Sequence, residues 1–365
     1  MRVAVLGGCG DMGSRAVELL AATDDVDEVV VLDRDRDRGA ALVSDRVTFR
    51  QVDATDVTAV EAELRGCAAA ASALGPFYRF ELPLAEAAIA AGVPYVSICD
   101  DHEASRVVLQ LNERAGERGV PVLTGLGWTP GLTNLAARRA YDELGGLDAV
   151  RVFWAASSGD AAGHAVVLHT LYAFDGQVPM LRDGLSVGVR AGGGIEDVAF
   201  PPPLDTVETS YVGHPEPVTL PHFLPGLRTV EVKGGLAERH LNVLGRGVSR
   251  VGLSRTHHRR KRLTRVLEPL LPALQRIGPE HAPRSAWRVD AAYRGERRSW
   301  WGTGRMRDLT GIPLAVGALL LARGQVERQG VFAPEAEGVP HARVWEMLGD
   351  HGVSAQSIPD EEAFR

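Results

Sequence analysis

The sequence predicts an α/β protein, a doubly wound parallel sheet with an inserted α+β substrate domain. Three observations predict it. Strand and helix patterns alternate from Met1 to Thr124. A glycine-rich turn joins the first strand to the first helix. A long middle region then breaks the alternation with short strand-like runs before a last apolar helix.

Arg2 to Leu6 is a Val-rich run, as in a strand buried on both faces. Glycines follow at Gly7, Gly8, Gly10 and Gly13, and Ser14 to Leu20 has helical apolar spacing. From Gly8 this reads G-x-G-x-x-G between a strand and a helix, the Rossmann-type dinucleotide signature. Glycine lets the backbone approach a pyrophosphate, and the helix start turns its N–H groups towards it. Gly8, Gly10, Asp11, Met12 and Gly13 are therefore cofactor-binding candidates.

Val26 to Leu32 gives a second strand ending at Asp33, where such folds keep the acid that bonds the adenosine ribose. Arg34, Arg36 and Arg38 follow and could meet a 2′-phosphate. The acid repels that phosphate, so NAD is expected, with NADP as the other candidate.

A helix through Gly39 to Val43 leads to strand Val47 to Val52. Asp53, with Ala54 beside it, lies beside the adenine or makes the turn before a helix at Thr55 to Leu64. Cys67 to Leu74 reads as a fourth strand whose small residues let a cofactor cross its end. Leu74, Gly75 and Phe77 complete the cofactor candidates. Helix Glu81 to Ala91, strand Tyr95 to Cys99, an amphipathic helix over His102 to Glu117 and strand Val120 to Thr124 close the run.

Ligands of a doubly wound sheet sit beyond the carboxyl ends of its strands. Asp100, Asp101 and His102 are titratable groups at such an end. Asp100 and His102 are candidates for managing a proton at nitrogen, and Asp101 also reads as a helix cap. Tyr78, Trp128, Pro130 and Gly131 are the substrate-binding candidates.

The chain has 365 residues, 45% of them apolar, enough for two domains. Its formal charge of -7 argues against a nucleic-acid partner. Three cysteines imply no disulfide framework and fit a cytoplasmic protein. Cys9 and Cys99 read as small packed residues. Met1 onwards reads as a core strand and not as a signal peptide. Ile312 to Ala322 is too short to span a membrane. His164, His169, His214, His222 and His240 lack ligand spacing to Cys or acids, so no metal site is expected. The basic run His257 to Arg262 reads as a solvated helix start before Leu263 to Leu274.

In the middle region Val150 to Ala156 and Thr229 to Lys233 read as strands, and Trp287 to Tyr293 with Arg298 to Thr303 as a strand pair. Gly163 to Phe174 reads as a helix, and the prolines at 201–203 and 215–225 as loops. Expected domains are 1–124 for the dinucleotide, 125–304 for substrate and dimerisation, and 305–365 returning to the first domain.

Several stretches carry a resemblance. VLGGCGDMG at Val5–Gly13, LGPF at Leu74–Phe77, LGWTPGLTN at Leu126–Asn134 and MRDLTGIPLAVGALLLARG at Met306–Gly324 resemble the saccharopine dehydrogenase-like oxidoreductases. PEPVTLP at Pro215–Pro221 and GVFAPEA at Gly330–Ala336 agree. The resemblance implies an NAD(P)-dependent oxidoreductase, expected to be a homodimer, acting at a carbon–nitrogen bond of an amino acid, imine or polyamine precursor. Where relatives often read Tyr-x-Asp, this chain has Tyr95-Val96-Ser97. Two other classes stay open: a non-catalytic NAD(P)-binding regulator, and a reductase of a C=C or C=O bond in a lipid-like substrate.

Overall fold

The structure, a computed structural model, describes residues 1–160, 173–250, 259, 262–265 and 282–358. It divides into two compact units, Met1–Leu135 with Arg307–Ser354, and Ala136–Met306 with Ala355–Arg365.

The chain opens with β1 (Arg2–Leu6), α1 (Asp11–Ala22), β2 (Glu28–Asp33), α2 (Arg36–Leu42) and β3 (Val47–Gln51). Next come α3 (Val57–Leu64), β4 (Ala69–Ser72), α4 (Phe77–Ala91) and β5 (Tyr95–Ser97). Then follow α5 (His102–Val108), α6 (Asn112–Glu117), β6 (Pro121–Leu123) and α7 (Leu132–Leu144). The middle region carries β7 (Ala149–Ala156), β8 (Gln177–Arg182), β9 (Leu185–Arg190), β10 (Glu196–Ala199) and β11 (Thr206–Tyr211). After these come α8 (Glu216–Phe223), β12 (Thr229–Leu236), α9 (Arg239–Arg250), β13 (Ser285–Tyr293) and β14 (Glu296–Gly304). The last elements are α10 (Met306–Ala322), β15 (Gly330–Phe332), α11 (His341–Asp350) and β16 (Gln356–Ile358).

The first unit is built on a seven-stranded sheet in the order β15-β6-β5-β4-β1-β2-β3. All six pairings are parallel. Central β1 is flanked by β2 and β4, with Val3 opposite Val29 on one side and Ala69 on the other. Burial on both faces is why these strands are continuous apolar runs. The direction of winding reverses beside β1, which puts a ligand crevice at the carboxyl ends of β1 and β4.

Helix α10 lies against α1 in the same unit, with Arg15 Nε and Asp308 Oδ1 at 2.6 Å. Two of its glycines allow close packing, Gly311 on α1 and Gly317 on Leu126. A Cβ at Gly311 would stand 2.6 Å from Met12 O, and one at Gly317 the same distance from a Leu126 methyl.

Helix α4 begins at Phe77, one turn before the expected Glu81, because Pro76 at its N-cap starts a helix without an N–H to lose. The single helix expected over His102–Glu117 is broken by a 3-10 turn at Leu109–Leu111. That turn delivers Asn112 Oδ1 to the Val331 N–H at 3.0 Å, fastening β15.

The second unit holds a mixed sheet ordered β10-β11-β12-β7-β13-β14-β16, with β8 joining β12 and β9 joining β8. β7 runs parallel to β12 and antiparallel to β13. The stretch 215–225, expected to be a loop, instead carries α8, with Pro215 as its N-cap and Pro217 in its first turn, where proline fits, and Pro221 inside it. Residues 356–358, expected to return to the first domain, pair with β14 at the edge of this second sheet. The expected helix Gly163–Phe174 lies outside the described residues for all but its last two positions, and Leu263–Leu274 for all but its first three.

Candidate functional site

The glycine turn shows a separate job for each glycine. Gly7 adopts φ +74, and a Cβ there would press on the Leu74 backbone at 3.0 Å. Gly8 packs on Val31, whose methyl would lie 2.9 Å from a Cβ. Gly13 closes α1 onto the turn, since its Cβ would stand 2.2 Å from Gly7 O. Gly10 is different: within 4 Å a Cβ would meet Gly7 O alone, at 3.3 Å. Gly10 is also the N-cap of α1 and supplies no side-chain cap. The first-turn N–H groups of Asp11, Met12 and Gly13 thus have the arrangement that receives a pyrophosphate.

Asp33 ends β2 beside that turn. Its Oδ2 accepts the Cys9 N–H at 3.1 Å and its Oδ1 the Asp35 N–H at 3.1 Å. Each oxygen keeps a lone pair for a ribose hydroxyl. The Cys9 thiol is pushed up to about 12, by burial first and then by the Asp33 charge, so it stays protonated. Arg34 is exposed, while Asp35 caps α2 through the Arg38 N–H at 3.1 Å.

Asp53 makes an Asx turn, accepting the Thr55 N–H at 2.9 Å and the Thr55 hydroxyl at 2.8 Å. Those two bonds lower its pKa, and Asp56 is the residue that caps α3. Ala54 and Phe77 have their side chains in apolar clusters, leaving the backbone as what they present elsewhere. Leu74 is partly buried against the same core as Ala54. Gly75 is open, and a Cβ there would lie 3.8 Å from the Phe77 ring. Tyr78 is half-buried in the first turn of α4.

At the end of β5, Asp101 is the N-cap of α5, accepting the N–H groups of Glu103 and Ala104 at 3.0 and 3.1 Å. Asp100 is half-buried just before it, and His102 is buried at the helix start. Trp128, Pro130 and Gly131 lie in a buried loop. Asn134 holds that loop: its Oδ1 accepts the Gly131 N–H at 3.0 Å, and its Nδ2 donates to Glu335 Oε2 at 2.9 Å.

The structure adds a group that sequence reasoning missed. Glu81 on α4 is 0% exposed. Its Oε1 accepts the hydroxyls of Ser97 at 2.6 Å and Thr124 at 2.9 Å, and its Oε2 that of Tyr95 at 3.2 Å. Burial pushes its pKa up to about 7 against the pull of those hydrogen bonds.

In the second unit Arg151 faces Glu196 and Glu231, Arg246 faces Glu208 and Arg288 faces Asp290. His214, at the head of the PEPVTLP segment, is buried with Nδ1 3.6 Å from Glu216 Oε2 and its ring 5.9 Å from that of Trp154. Among the described residues no group of three or more His, Cys, Asp or Glu could hold a metal, and no helix is long and apolar enough to cross a membrane.

A doubly wound sheet, a glycine turn open at Gly10 and an acid at the end of β2 are the features of a dinucleotide-binding fold. Residues 3–123 match the family described as saccharopine dehydrogenase NADP binding domain. That match makes the chain an NAD(P)-dependent oxidoreductase whose dinucleotide-binding domain is similar to that of the saccharopine dehydrogenases. Its fold is similar to that of saccharopine dehydrogenase (L-Glu forming) from Saccharomyces cerevisiae, at 16% identity over 98% of this chain and 100% of that one, TM-score 0.66. Weaker likenesses are to amine dehydrogenase from Mycobacterium smegmatis (12% identity, 92% and 95% covered, TM-score 0.49) and to C. glutamicum DAP dehydrogenase (15%, 92% and 93%, TM-score 0.46).

Proposed function

We propose that the protein transfers a hydride at a carbon–nitrogen bond of an amino acid or polyamine precursor. The match of residues 3–123 to a saccharopine dehydrogenase NADP binding domain carries this reading. The fold shared with an L-Glu-forming saccharopine dehydrogenase over 98% of the chain supports it.

The turn at Gly8, Gly10 and Gly13 with the N–H groups of Asp11 and Met12 holds the pyrophosphate, and Asp33 the adenosine ribose. NAD is the preferred cofactor, because Asp33 opposes a 2′-phosphate more strongly than Arg34 attracts one. Bound there, the nicotinamide supplies the hydride acceptor or donor. Asp100 or His102 moves the proton at the substrate nitrogen, since Asp101 is committed to its cap. Tyr78 walls the substrate, and Trp128, Pro130 and Gly131 shape the loop beside it.

The test is oxidation of NADH and NADPH with a panel of amino acids, L-glutamate included, each paired with oxo-acids or aldehydes. Turnover that requires both an amine and a carbonyl partner is expected. Cofactor binding without turnover on any pair would refute the carbon–nitrogen reading.

A further inference from the structure

The buried face of α4 is a stripe of Phe77, Leu84, Ala85 and Ala88, and an acid, Glu81, occupies one position of that stripe. Burying a carboxylate is costly unless its charge is compensated or its proton retained. Among the described residues no cation pairs with Glu81; its partners are three hydroxyls. Tyr95 and Ser97 open and close β5, and Thr124 follows β6. One carboxylate therefore joins α4 to two neighbouring parallel strands, meeting Ser97 and Thr124 at their carboxyl ends, the side of the sheet where a dinucleotide binds. The first turn of the same helix follows directly on Leu74 and Gly75.

We propose that Glu81 is a proton-linked positioning residue for the dinucleotide: the cofactor binds the form in which Glu81 carries a proton, and binding draws that proton from solution. A hydroxyl both donates and accepts, so the Tyr95, Ser97 and Thr124 cluster is satisfied whether Glu81 is neutral or charged. The titratable groups facing it are Tyr95 and Cys99, which burial keeps protonated, and Asp101, whose charge opposes a second anion. A dinucleotide held at the β1–α1 turn brings negative charge to the same carboxyl-end side of the sheet and disfavours the ionised carboxylate further. Glu81 sits near neutrality, so at pH 7 to 8 an ionised fraction exists to take up the proton. Linkage makes the effect reciprocal: what draws the proton also makes affinity fall as pH rises.

The experiment is calorimetric titration of NADH and NADPH into the full chain, in buffers of low and high ionisation enthalpy, across about pH 6 to 8.5. Wild type should take up a fraction of a proton on binding, and its affinity should fall about fivefold across the range, the low end of couplings between sites. Glu81→Gln, which mimics the protonated acid, should bind with the wild-type low-pH affinity at every pH and take up no proton there. A purely structural role would weaken Glu81→Gln equally at all pH and leave proton uptake intact, which overturns the proposal. Should Glu81→Gln not fold, Ser97→Ala decides. Losing the hydroxyl at 2.6 Å removes a bond that favours the ionised form, so the pH of half-maximal uptake must rise. An unmoved midpoint overturns the proposal.

Discussion

Asp33 Oδ2 accepts a hydrogen bond from the Cys9 backbone N–H at 3.1 Å, so the acid that ends β2 braces the glycine turn. Asp33 therefore fixes the turn and, in the cofactor site proposed above, sets the charge that an adenosine ribose would meet. A 2′-phosphate beside it would place two anions a few ångströms apart, costing on the order of a few kcal/mol at an effective dielectric of about 20. Arg34 offsets part of this.

Asp33→Ser should weaken NADH binding about tenfold, near 1.4 kcal/mol, the scale of one hydrogen bond. NADPH should lose less or gain, so the ratio moves towards NADPH. Calorimetry with both cofactors measures this. If the wild type already binds NADPH more tightly, Arg34 dominates and the NAD preference is wrong.

Gly10 and Gly13 should separate binding from folding. Gly10 has φ -75 and ψ 167, which any residue adopts, and a Cβ there would meet only Gly7 O, at 3.3 Å. Gly10→Val should keep a wild-type melting temperature and lose measurable cofactor binding, because its methyls occupy the pyrophosphate's place. Gly13→Ala drives a Cβ to 2.2 Å from Gly7 O and should destabilise the fold by about 1–3 kcal/mol. Intact dinucleotide binding by folded Gly10→Val would remove the turn from the site.

What the sequence disclosed was local. The β1 run, the glycine spacing, Asp33 and the Asp101 cap each lie within a few residues of what they act on. Glu81 was hidden because its partners stand at 95, 97 and 124, brought together only by parallel pairing under α4. A signal was present: Phe77, Glu81, Leu84, Ala85 and Ala88 share one helical stripe, and an acid in an apolar stripe is buried with a purpose or not at all. The Asn134–Glu335 bond spans 201 positions and carries no such local mark. Helix α8 reads as loop in the sequence because its prolines count as breakers, yet Pro215 and Pro217 stand where a helix start accepts them and only Pro221 falls inside it.

Asn134→Ala should test how the Gly127–Leu132 loop is held. It removes the acceptor for the Gly131 N–H and a donor to the fully buried Glu335. Leaving buried groups short of a partner costs about 1–3 kcal/mol each. A loss of about 2–4 kcal/mol in urea unfolding is expected, with an unchanged slope against denaturant. A change within about 0.5 kcal/mol, the size of an ordinary surface substitution, would mean other contacts hold the loop.

The pH dependence of stability should carry the mark of Glu81. Its pKa is raised from 4.5 to about 7, with burial as the largest cause. Below pH 4.5 the group is protonated in both folded and unfolded chains and contributes no slope. Between 4.5 and about 7 the unfolded chain has released the proton while the folded one retains it, so stability falls as pH rises. The slope approaches about 1.4 kcal/mol per pH unit, and about 3 kcal/mol is lost by the time both states are ionised. Glu81→Gln preserves the shape and cannot ionise. Its Nε2 can donate to Tyr95, whose hydroxyl then accepts. Urea unfolding of both proteins from about pH 5 to 8.5 isolates the group, because every other titration is common to the two. The variant should gain on the wild type by about 2–3 kcal/mol between about pH 5 and 7.5 and hold that gain above it. A difference constant across the whole range would mean that Glu81 keeps one charge state throughout, and the buried cluster would then be a fixed brace with no linkage to the proton.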